Sequence, residues 1–423
     1  MARSGLAAAE VLALRGADVL LYDGKPEAEL SEAVAFAAEH GIPARTETTR
    51  VDESTELVIT SPGVRTSAEV LTDALRRGLP VWGEIELAYR ISSAPILAIT
   101  GTNGKTTTTA LLGEMARAAG LTTYVAGNIA AGEIALPLAR AAHIAREDDV
   151  IVAEISSFQL EWIDSFRPRV AAITNITSDH SDRQTWDEYV AAKWRIFENQ
   201  TAGDTAVLRS DVPMPAGRRS ENRARRVVFD RMERPSWIGD IRLPGEHNRE
   251  NVMAALAMAR AFGLGEDAIR TAALEFPGVV HRLEFVAGIG GVRWFNNSMC
   301  TNNDAFARSL AAIEGQKIVL AGGVYKGGDM TQLASTAADP SVTALVFFGK
   351  SGEELSQACR AAGAQNVEVV STLREAVDRA ADLAKSGDTV LLSPACASFD
   401  QFKDFEDRGD KFKAMVRDME GHA

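Results

Sequence analysis

The chain has 423 residues, of which 46% are apolar and 24% charged, and its formal net charge is −13. At about 150 residues per domain, this length predicts roughly two to four domains. The acidic balance disfavours nucleic acid and anionic membranes as partners, but a small anionic substrate can still be bound by local basic groups and helix N-termini.

Cysteine usage and hydropathy narrow the class of protein further. The three cysteines, Cys300, Cys359 and Cys396, form no CxxC pair, which argues against a disulfide framework or a zinc site. No apolar run reaches the roughly 18–20 residues of a membrane-spanning helix, and the first residues resemble neither a signal nor a transit peptide. These features favour a cytoplasmic protein.

Residues 1–90 alternate apolar strands with Ala-rich helical stretches. Strands are predicted at ADVLLYD (17–23) and at ELVITSPG (56–63), which ends in a Ser-Pro-Gly turn. The alternation predicts a Rossmann-like parallel sheet. The opening MARSGLAAAEVL resembles the turn and helix of such a fold without the strand before them. We expect either an upstream in-frame start that encodes a short apolar strand with Gly-x-Gly, or another element in its place.

Residues 91–284 are predicted to form a central P-loop ATPase domain with a mostly parallel sheet. The predicted strands of this domain lie at 94–100, 150–155 and 170–176. Residues 285–423 are predicted to form a second Rossmann-like domain, with strands at 317–323, 344–349 and 389–395. The predicted fold class is therefore α/β with three domains.

A glycine loop after the strand at 94–100 carries the clearest chemical signal. The chain reads GTNGKTTT at 101–108, although Ile99 stands at the first glycine of the standard GxxxxGK[ST] pattern. Backbone N–H groups of such a loop bind phosphates, Lys105 would reach the β- and γ-phosphates, and Thr106 would coordinate Mg²⁺. A simple Gly-Thr turn is the alternative, but the order strand, loop, helix favours nucleotide binding. The loop alone does not separate a kinase, an ATPase and a ligase.

Three polar side chains are weaker candidates. Glu154 ends a predicted strand, where ligands bind in open α/β sheets, but it could equally cap the next turn. His180 follows another strand end and could bind a metal, although a lone histidine is more often a cap or a surface residue. Lys193 lies on the apolar side of its helix, and its spacing alone assigns it no role.

Short segments in a fixed order make the chain similar to the Mur ligase superfamily. LLSPACASFDQFKDFEDRGDKF at 391–412 resembles the C-terminal signature of the members that add D-glutamate. The other segments are SPG (61–63), GTNGKTTT (101–108), GNI (127–129), EISSFQLE (154–161), NITSDHSDR (175–183), YVAAK (189–193), HNRENVMAAL (247–256) and HRLE (281–284). Their order spans essentially the whole chain and is more specific than any one of them.

The resemblance implies an ATP-dependent ligase that adds D-glutamate to UDP-N-acetylmuramoyl-L-alanine through an acyl phosphate, as a cytoplasmic monomer in peptidoglycan precursor synthesis. The implied cofactors are ATP and two Mg²⁺ ions, with Lys193 carbamylated. The implied catalytic residues are Lys105, Glu154, His180 and Lys193, and the implied metal ligands are Thr106, Glu154, His180 and Lys193. The implied nucleotide contacts are Gly101, Thr102, Asn103, Gly104, Lys105, Thr106, Thr107, Asn251 and Arg282. The implied contacts to the UDP-linked substrate are Ser4, Asp23, Ser61, Gly63 and Asn128, and those to D-glutamate are Thr301, Lys326, Ser398 and Phe405.

The last block departs from the family pattern at three positions. Asn297 and Tyr325 each stand where the family has an acid, and Met299 stands where it has a lysine expected near the γ-phosphate. A missing phosphate cation weakens catalysis in a dry site. A divergent D-glutamate ligase, a paralogue with another amino acid or acyl acceptor, and a weakened enzyme all stay open. The intact amino-acid end favours the first.

Three other classes of protein, and one related enzyme, explain the sequence less well. A dinucleotide-dependent oxidoreductase fits the α/β halves and Asp23, but it leaves GTNGKTTT unexplained. A P-loop kinase would not carry SPACASFD in a third domain. A non-catalytic regulator fits Asn297 and Met299, but not Lys105 together with Lys193. Folylpolyglutamate synthetase, a relative, would not be expected to carry the 391–412 signature.

Overall fold

A computed structural model describes residues 1, 3–128, 136–177, 185–215, 223–230, 233–325 and 330–420. The contacts of the chain group it into two compact units. Unit 1 comprises Met1–Ile241 and Asn248–Phe276, and unit 2 comprises Arg242–His247 and Pro277–Ala423. The division into three domains at 1–90, 91–284 and 285–423 stays a prediction.

The N-terminal part of unit 1 contains two small parallel sheets. Its elements are α1 (Arg3–Leu14), β1 (Leu21–Tyr22), α2 (Ser31–Glu39), β2 (Ala44–Arg45), β3 (Val58–Thr60), α3 (Glu69–Arg76), β4 (Val81–Gly83) and α4 (Glu84–Ile91). β1 pairs with β2 and β3 pairs with β4, and within the described residues the two pairs are not joined into one sheet. The strands predicted at 17–23 and 56–63 are therefore present but shorter than predicted.

The rest of unit 1 is built on a six-stranded sheet whose neighbouring strands all run parallel, in the order β10-β9-β8-β5-β7-β6. Its strands are β5 (Ile96–Thr100), β6 (Thr123–Gly127), β7 (Val150–Glu154), β8 (Val170–Ile173), β9 (Thr205–Arg209) and β10 (Arg225–Phe229). Its helices are α5 (Lys105–Ala118), α6 (Leu138–Ile144), α7 (Ser157–Leu160), α8 (Trp186–Trp194), α9 (Glu246–Phe262) and α10 (Glu266–Glu275). β5, β7 and β8 are buried along their whole length because helices cover both faces, as expected for a parallel sheet.

Unit 2 contains a second six-stranded sheet in the order β11-β12-β16-β13-β14-β15. Its strands are β11 (Glu284–Ile289), β12 (Val292–Asn296), β13 (Lys317–Gly322), β14 (Val342–Phe348), β15 (Val367–Val369) and β16 (Thr389–Leu392). Its helices are α11 (Asn303–Ala312), α12 (Met330–Ala337), α13 (Gly352–Ala361), α14 (Leu373–Leu383) and α15 (Phe405–Glu420). Among the described strands of this sheet, the β11–β12 pair is antiparallel and the other pairs are parallel. Apolar clusters lie on both faces of this sheet.

In both units the parallel strands end at one edge, and the loops that leave this edge carry most of the predicted site residues. β5 and β7 are in register at Ile99 and Glu154, so Gly101 follows β5 two residues beyond the level of Glu154 on the neighbouring strand. In unit 2, Asn296 and Leu392 are in register, and the chain continues from them towards Thr301 and Ser398. Within the described ranges, no helix has the length and hydropathy needed to cross a membrane.

Candidate active site

The loop between β5 and α5 adopts a backbone that only glycine tolerates at two points. Gly101 has φ +151°, and a Cβ there would lie 2.0 Å from the Thr174 hydroxyl. Gly104 has φ +83°, and a Cβ there would lie 2.0 Å from the Asn251 side-chain oxygen. The loop therefore lies close against two neighbouring segments, and the N-terminal N–H groups of α5 follow it directly. Such N–H groups bind phosphate oxygens.

The segment after β8 fixes the shape of this loop. The Thr102 N–H donates to the Asn175 carbonyl at 2.9 Å, and the Asn103 N–H donates to the Asn175 side-chain oxygen at 3.0 Å. In return, the Asn175 amide and the Thr174 hydroxyl donate to the Asn103 carbonyl at 2.9 and 2.7 Å. Sequence reasoning missed these two residues. Their position directly after a strand that neighbours β5 was the available signal.

Thr106 and Glu154 form the pair best suited to hold a divalent cation. The Thr106 hydroxyl donates to Glu154 Oε2 at 2.7 Å, and the Glu154 side chain is 3% exposed. A carboxylate and a hydroxyl at the N-terminus of a phosphate-binding helix are hard oxygen ligands of the kind that Mg²⁺ prefers. Within the described residues, no group of three or more His, Cys, Asp or Glu side chains is placed to hold a metal ion.

Two lysines point at the same loop. Lys105 Nζ donates to the carbonyls of Gly101 and Thr102, both at 3.0 Å. Lys193 is 2% exposed, and its Nζ donates to the Gly101 carbonyl at 2.8 Å. The Lys193 ammonium also lies 4.3 Å from the centre of the Tyr189 ring. The Lys193 ammonium is therefore buried and directed at the phosphate loop, a contact that its spacing in the sequence did not assign.

Tyr189 is a further residue that the sequence did not reveal. Its hydroxyl lies 3.1 Å from the Thr102 hydroxyl, and it precedes Lys193 by four residues on α8. Residues four apart on a helix share one face, so the ring and the lysine approach the loop together. Thr185 begins α8 with a capping box to Glu188, which fixes where this face starts.

The structure places the remaining predicted residues of unit 1 as follows. Thr107 is buried in the first turn of α5, and Asn251 is buried on α9 beside Gly104, with its amide donating to Asn248 at 3.2 Å. Asn128 is exposed at the end of β6, and its N–H donates to the Glu154 carbonyl at 2.8 Å. His180 lies outside the described residues.

The predicted contacts to the UDP-linked substrate lie around the start of α1. Ser4 is in the first turn of α1, and a Cβ on the next residue, Gly5, would lie 2.7 Å from the Ser61 hydroxyl. Asp23 contacts the amino group of Met1. Gly63 is exposed two residues beyond Ser61. The structure thus brings Ser4 and Ser61 together, with Asp23 beside the same end of α1.

In unit 2, a buried arginine on α15 joins the loops that carry the predicted amino-acid site. Arg408 is 0% exposed, and its guanidinium donates to the Ser298 hydroxyl at 2.9 Å and the Ser298 carbonyl at 2.8 Å. It also donates to the carbonyls of Cys396 at 3.1 Å and Gly322 at 3.4 Å. Burial lowers the pKa of Arg408 to about 10, so it stays charged at neutral pH.

These contacts place Arg408 beside the loops that carry Thr301 and Ser398, and on the same helix as Phe405. Ser298 precedes Thr301 on the loop after β12, and Cys396 precedes the buried Ser398 on the loop after β16. Phe405 lies one turn before Arg408, and its carbonyl accepts a hydrogen bond from the Ser298 hydroxyl at 2.7 Å. Lys326 lies outside the described residues.

Arg282, a predicted nucleotide contact, lies in a turn stabilised by an asparagine side chain. His281 and Leu283 have φ +63° and +45°, and the Leu283 N–H donates to the Asn297 side-chain oxygen at 3.2 Å. Asn297 also donates to the Ser393 hydroxyl at 3.4 Å. The Asn297 side chain therefore stabilises the turn that carries Arg282. This is the structural role of the residue that stands where the family has an acid.

Arg282 lies close to another histidine of unit 2. Burial, together with the positive charges of Arg282 and Arg308, lowers the pKa of His247 to about 4. His247 is therefore neutral at physiological pH and adds no charge beside Arg282. Met299 is partly buried, and its N–H donates to the His281 carbonyl at 3.1 Å.

Comparison with known proteins agrees with this arrangement. Residues 99–238 match the family model of the Mur ligase middle domain, and residues 281–396 match that of the Mur ligase glutamate ligase domain. The UDP-N-acetylmuramoylalanine–D-glutamate ligase of Pelotomaculum thermopropionicum is 42% identical over 441 residues, which cover 98% of this chain and 95% of the relative. That of Caldanaerobacter subterraneus is 42% identical over 439 residues, covering 98% and 96%. The chain belongs to the Mur ligase family.

Solved Mur ligase structures share the fold at lower sequence identity. The UDP-N-acetylmuramate-alanine ligase of Thermotoga maritima superposes with a TM-score of 0.61 at 17% identity, covering 98% of both chains. MurF of Acinetobacter baumannii gives 0.61 at 19% identity, covering 96% of this chain and 91% of its own. These likenesses confirm the predicted α/β fold class.

Proposed function

We propose that this Mur ligase joins D-glutamate to UDP-N-acetylmuramoyl-L-alanine with the energy of ATP, as a cytoplasmic step of peptidoglycan precursor synthesis. The relatives named for this reaction align with nearly the whole chain. The observation that carries the proposal is the Thr106–Glu154 pair at the phosphate loop, with Lys105 and Lys193 directed at the same loop. This arrangement suits transfer of a phosphoryl group from ATP.

The proposed reaction has two steps. A carboxylate oxygen of the alanyl group attacks the γ-phosphorus of ATP, the bond between that phosphorus and ADP breaks, and an acyl phosphate forms. The amine of D-glutamate then loses a proton and attacks the acyl carbon. The new C–N bond forms, the acyl C–O bond to phosphate breaks, and inorganic phosphate leaves. The protein contributes mainly positioning and stabilisation of negative charge on the phosphoryl oxygens.

ATP and a divalent cation fit the residues of unit 1. Gly101 and Gly104 lie too close to their neighbours to carry side chains, so the N–H groups of the loop backbone would bind the phosphates. Lys105 supplies a cation beside this loop. Thr106 and Glu154 would hold Mg²⁺, which neutralises phosphate charge when bound. A bifunctional folylpolyglutamate synthase/dihydrofolate synthase of the same fold, at a TM-score of 0.56, was solved with Mn, AMPPNP and L-glutamate. A second Mg²⁺ ion, with His180 among its ligands, is part of the proposal.

The departures in unit 2 favour one further candidate, a paralogue that uses another amino acid or acyl acceptor. Met299 supplies no cation where the family has a lysine, and Tyr325 bonds Asn303 through its hydroxyl at 3.0 Å where the family has an acid. Both lie beside the proposed amino-acid residues. The same assay therefore decides between the two functions and a weakened enzyme.

We expect purified protein to release phosphate from ATP only when UDP-N-acetylmuramoyl-L-alanine and D-glutamate are both present. The measurement is phosphate release over a panel of D- and L-amino acids, with UDP-N-acetylmuramic acid as the alternative acceptor. Turnover with a different amino acid or acceptor would identify the paralogue. Slow turnover with D-glutamate would indicate the weakened enzyme, and no turnover with any pair would refute the ligase proposal.

Carbamylation of Lys193 belongs to the same proposal. A buried lysine whose Nζ lies 2.8 Å from the Gly101 carbonyl would, as a carbamate, place a negative charge able to bind a metal beside the phosphate loop. We expect protein equilibrated with ¹³C-bicarbonate to show a carbamate carbon in its NMR spectrum, which Lys193→Arg abolishes and Lys105→Arg retains. A spectrum without this signal in wild-type protein would leave Lys193 as an ammonium.

A further inference from the structure

A buried carboxylate outside the phosphate loop joins three helices of unit 1. Glu84 is the first residue of α4 and is 2% exposed. Its carboxylate accepts a hydrogen bond from the Ala139 N–H at 2.9 Å and another from the Leu138 N–H, at the start of α6. Arg3, on α1, is the cation whose charge acts on it. Glu84 therefore ties the start of α6 to α4, and the charge of Arg3 on α1 favours its ionised form.

The two amides whose hydrogen bonds Glu84 accepts come directly after a segment that is bonded to β6. The chain leaves β6 at Asn128, and at Leu136 it is again beside β6. The Gly127 N–H donates to the Leu136 carbonyl and the Leu136 N–H donates to the Val125 carbonyl, both at 3.1 Å. Pro137 follows, and then the amides of Leu138 and Ala139. Glu84 thus fixes the chain directly after Leu136, which is hydrogen-bonded to the strand that ends next to Asn128.

The same carboxylate reaches the other proposed substrate contact through α1. Arg3 precedes Ser4, and α1 is tied to α6 a second time because Arg140 Nε donates to Glu10 at 2.6 Å. The contacts of α6 with Glu84 and Glu10 therefore set the distance between the start of α1 and the end of β6. Ser4 lies at the first of these places and Asn128 at the second.

We propose that Glu84 is a positioning residue for the UDP-linked substrate, because its ionised carboxylate holds the Ser4 side and the Asn128 side of that site at the spacing that the substrate needs. The proposal rests on the proposed function. Glu84 contacts the protein rather than the substrate, so its effect falls on substrate affinity more than on the rate of phosphoryl transfer.

The ionised form of Glu84 has an energetic cost that a purely structural cap would not need. Burial raises the pKa of Glu84 to about 7, even though the two N–H groups and Arg3 act to lower it. Because the folded-state pKa lies above the unfolded one, the stability contributed by this group is lost as pH rises through about 7. A glutamine would accept an N–H hydrogen bond without this loss. The ionised carboxylate is therefore present at an energetic cost that a neutral acceptor in the same place would avoid.

The charged and titratable side chains on the helices around Glu84 are few. They are Arg3 and Glu10 on α1, Glu86, Tyr89 and Arg90 on α4, and Arg140 and His143 on α6. Neither α7 nor β3 nor β4 contributes such a side chain. Glu10 pairs with Arg140 and Glu86 pairs with Arg90. His143 is the histidine of this set, on the helix whose first amides Glu84 binds, so it needs its own control.

The test is calorimetric binding of UDP-N-acetylmuramoyl-L-alanine to the full chain without ATP, roughly one pH unit below and above the pKa of Glu84. We expect wild-type protein to bind about fivefold more weakly at the lower pH, as the charge on the acceptor is lost. Glu84→Gln should bind at both pH values as weakly as the protonated wild type, while an ATP analogue binds both proteins equally. Glu84→Asp should retain the pH dependence, and it keeps the test decisive if the glutamine variant does not fold.

Two matched controls separate this role from general stabilisation. Glu86→Gln removes a buried carboxylate from the same helix, and His143→Gln removes the histidine of α6. Both should keep the wild-type pH dependence of binding. Glu84→Gln should also melt at a higher temperature than wild type above the pKa of Glu84. Wild-type pH dependence in Glu84→Gln, or its loss in either control, would overturn the inference. If the wild type binds no UDP-linked substrate at any pH, the proposed function fails instead.

Discussion

Replacing Glu154 by glutamine is expected to lower kcat/KM for ATP by about a hundredfold to a thousandfold, while the protein keeps its fold. The Thr106 hydroxyl donates to Glu154 Oε2 at 2.7 Å, and a glutamine side-chain oxygen can accept the same bond. The substitution therefore removes the charge and keeps the shape. Because that charge would hold the divalent cation, the loss should become smaller as Mg²⁺ concentration rises. Steady-state phosphate release across a range of Mg²⁺ concentrations measures both effects.

The matched control for this experiment is Glu86→Gln, which makes the same chemical change at a 0% exposed carboxylate on α4. Glu86 accepts hydrogen bonds from the Ser165 and Phe166 N–H groups and pairs with Arg90, away from the phosphate loop. It should lower the melting temperature without changing the dependence of rate on Mg²⁺. If Glu154→Gln instead retained full activity at every Mg²⁺ concentration, Glu154 would not be a metal ligand.

The central sheet was predictable because each signal in it was local. A buried strand, a glycine turn and a helix follow one another at 94–118, and the strands that end at Glu154 and Ile173 are short uninterrupted apolar runs. The position of Lys193 on the apolar side of its helix was also predictable from its spacing. Its contact with Gly101 was not predictable, because that contact depends on which strands are neighbours in the sheet. Gly101 follows β5, and β5 pairs with β8, the strand before α8.

The first hairpin of unit 2 shows a signal that was present but unused. β11 and β12 are joined by Gly290 and Gly291, a dipeptide that commonly forms the turn of a two-residue hairpin. Most of the short strands of residues 1–90 give no such signal. β1 and β2 have two residues each, and their pairing depends on tertiary packing more than on sequence pattern.

The structure was also needed to show what a residue that departs from the family pattern does. From sequence, Asn297 is only a lost acid. In the fold it accepts the Leu283 N–H within a turn that has two positive φ angles. An amide or a carboxylate oxygen can serve as that acceptor, so this local role survives the change. Whether a nucleotide contact is lost with the acid is decided by the turnover assay.

Replacing Arg408 by lysine is expected to raise KM for the amino-acid substrate by tenfold or more, about 1.4 kcal/mol per tenfold step, with a smaller change for ATP. The Arg408 guanidinium donates to the hydroxyl and carbonyl of Ser298 and to the carbonyls of Cys396 and Gly322. A lysine ammonium keeps the charge but lacks the planar fork that reaches these groups together. Since these loops lead to Thr301 and Ser398, their loosening should weaken binding of the amino acid more than binding of ATP.

The control is Arg379→Lys, in the same unit, where the guanidinium is 41% exposed and pairs with Glu368. An exposed pair contributes little, so this variant should match the wild type in both KM values and in melting temperature. Arg408→Lys should melt at a lower temperature, because carbonyls buried around Arg408 would lose their donors, at about 1–3 kcal/mol each. A purely structural role would lower the melting temperature and leave the ratio of the two KM values unchanged. A selective rise in KM for the amino acid would instead make Arg408 the residue that positions the amino-acid loops.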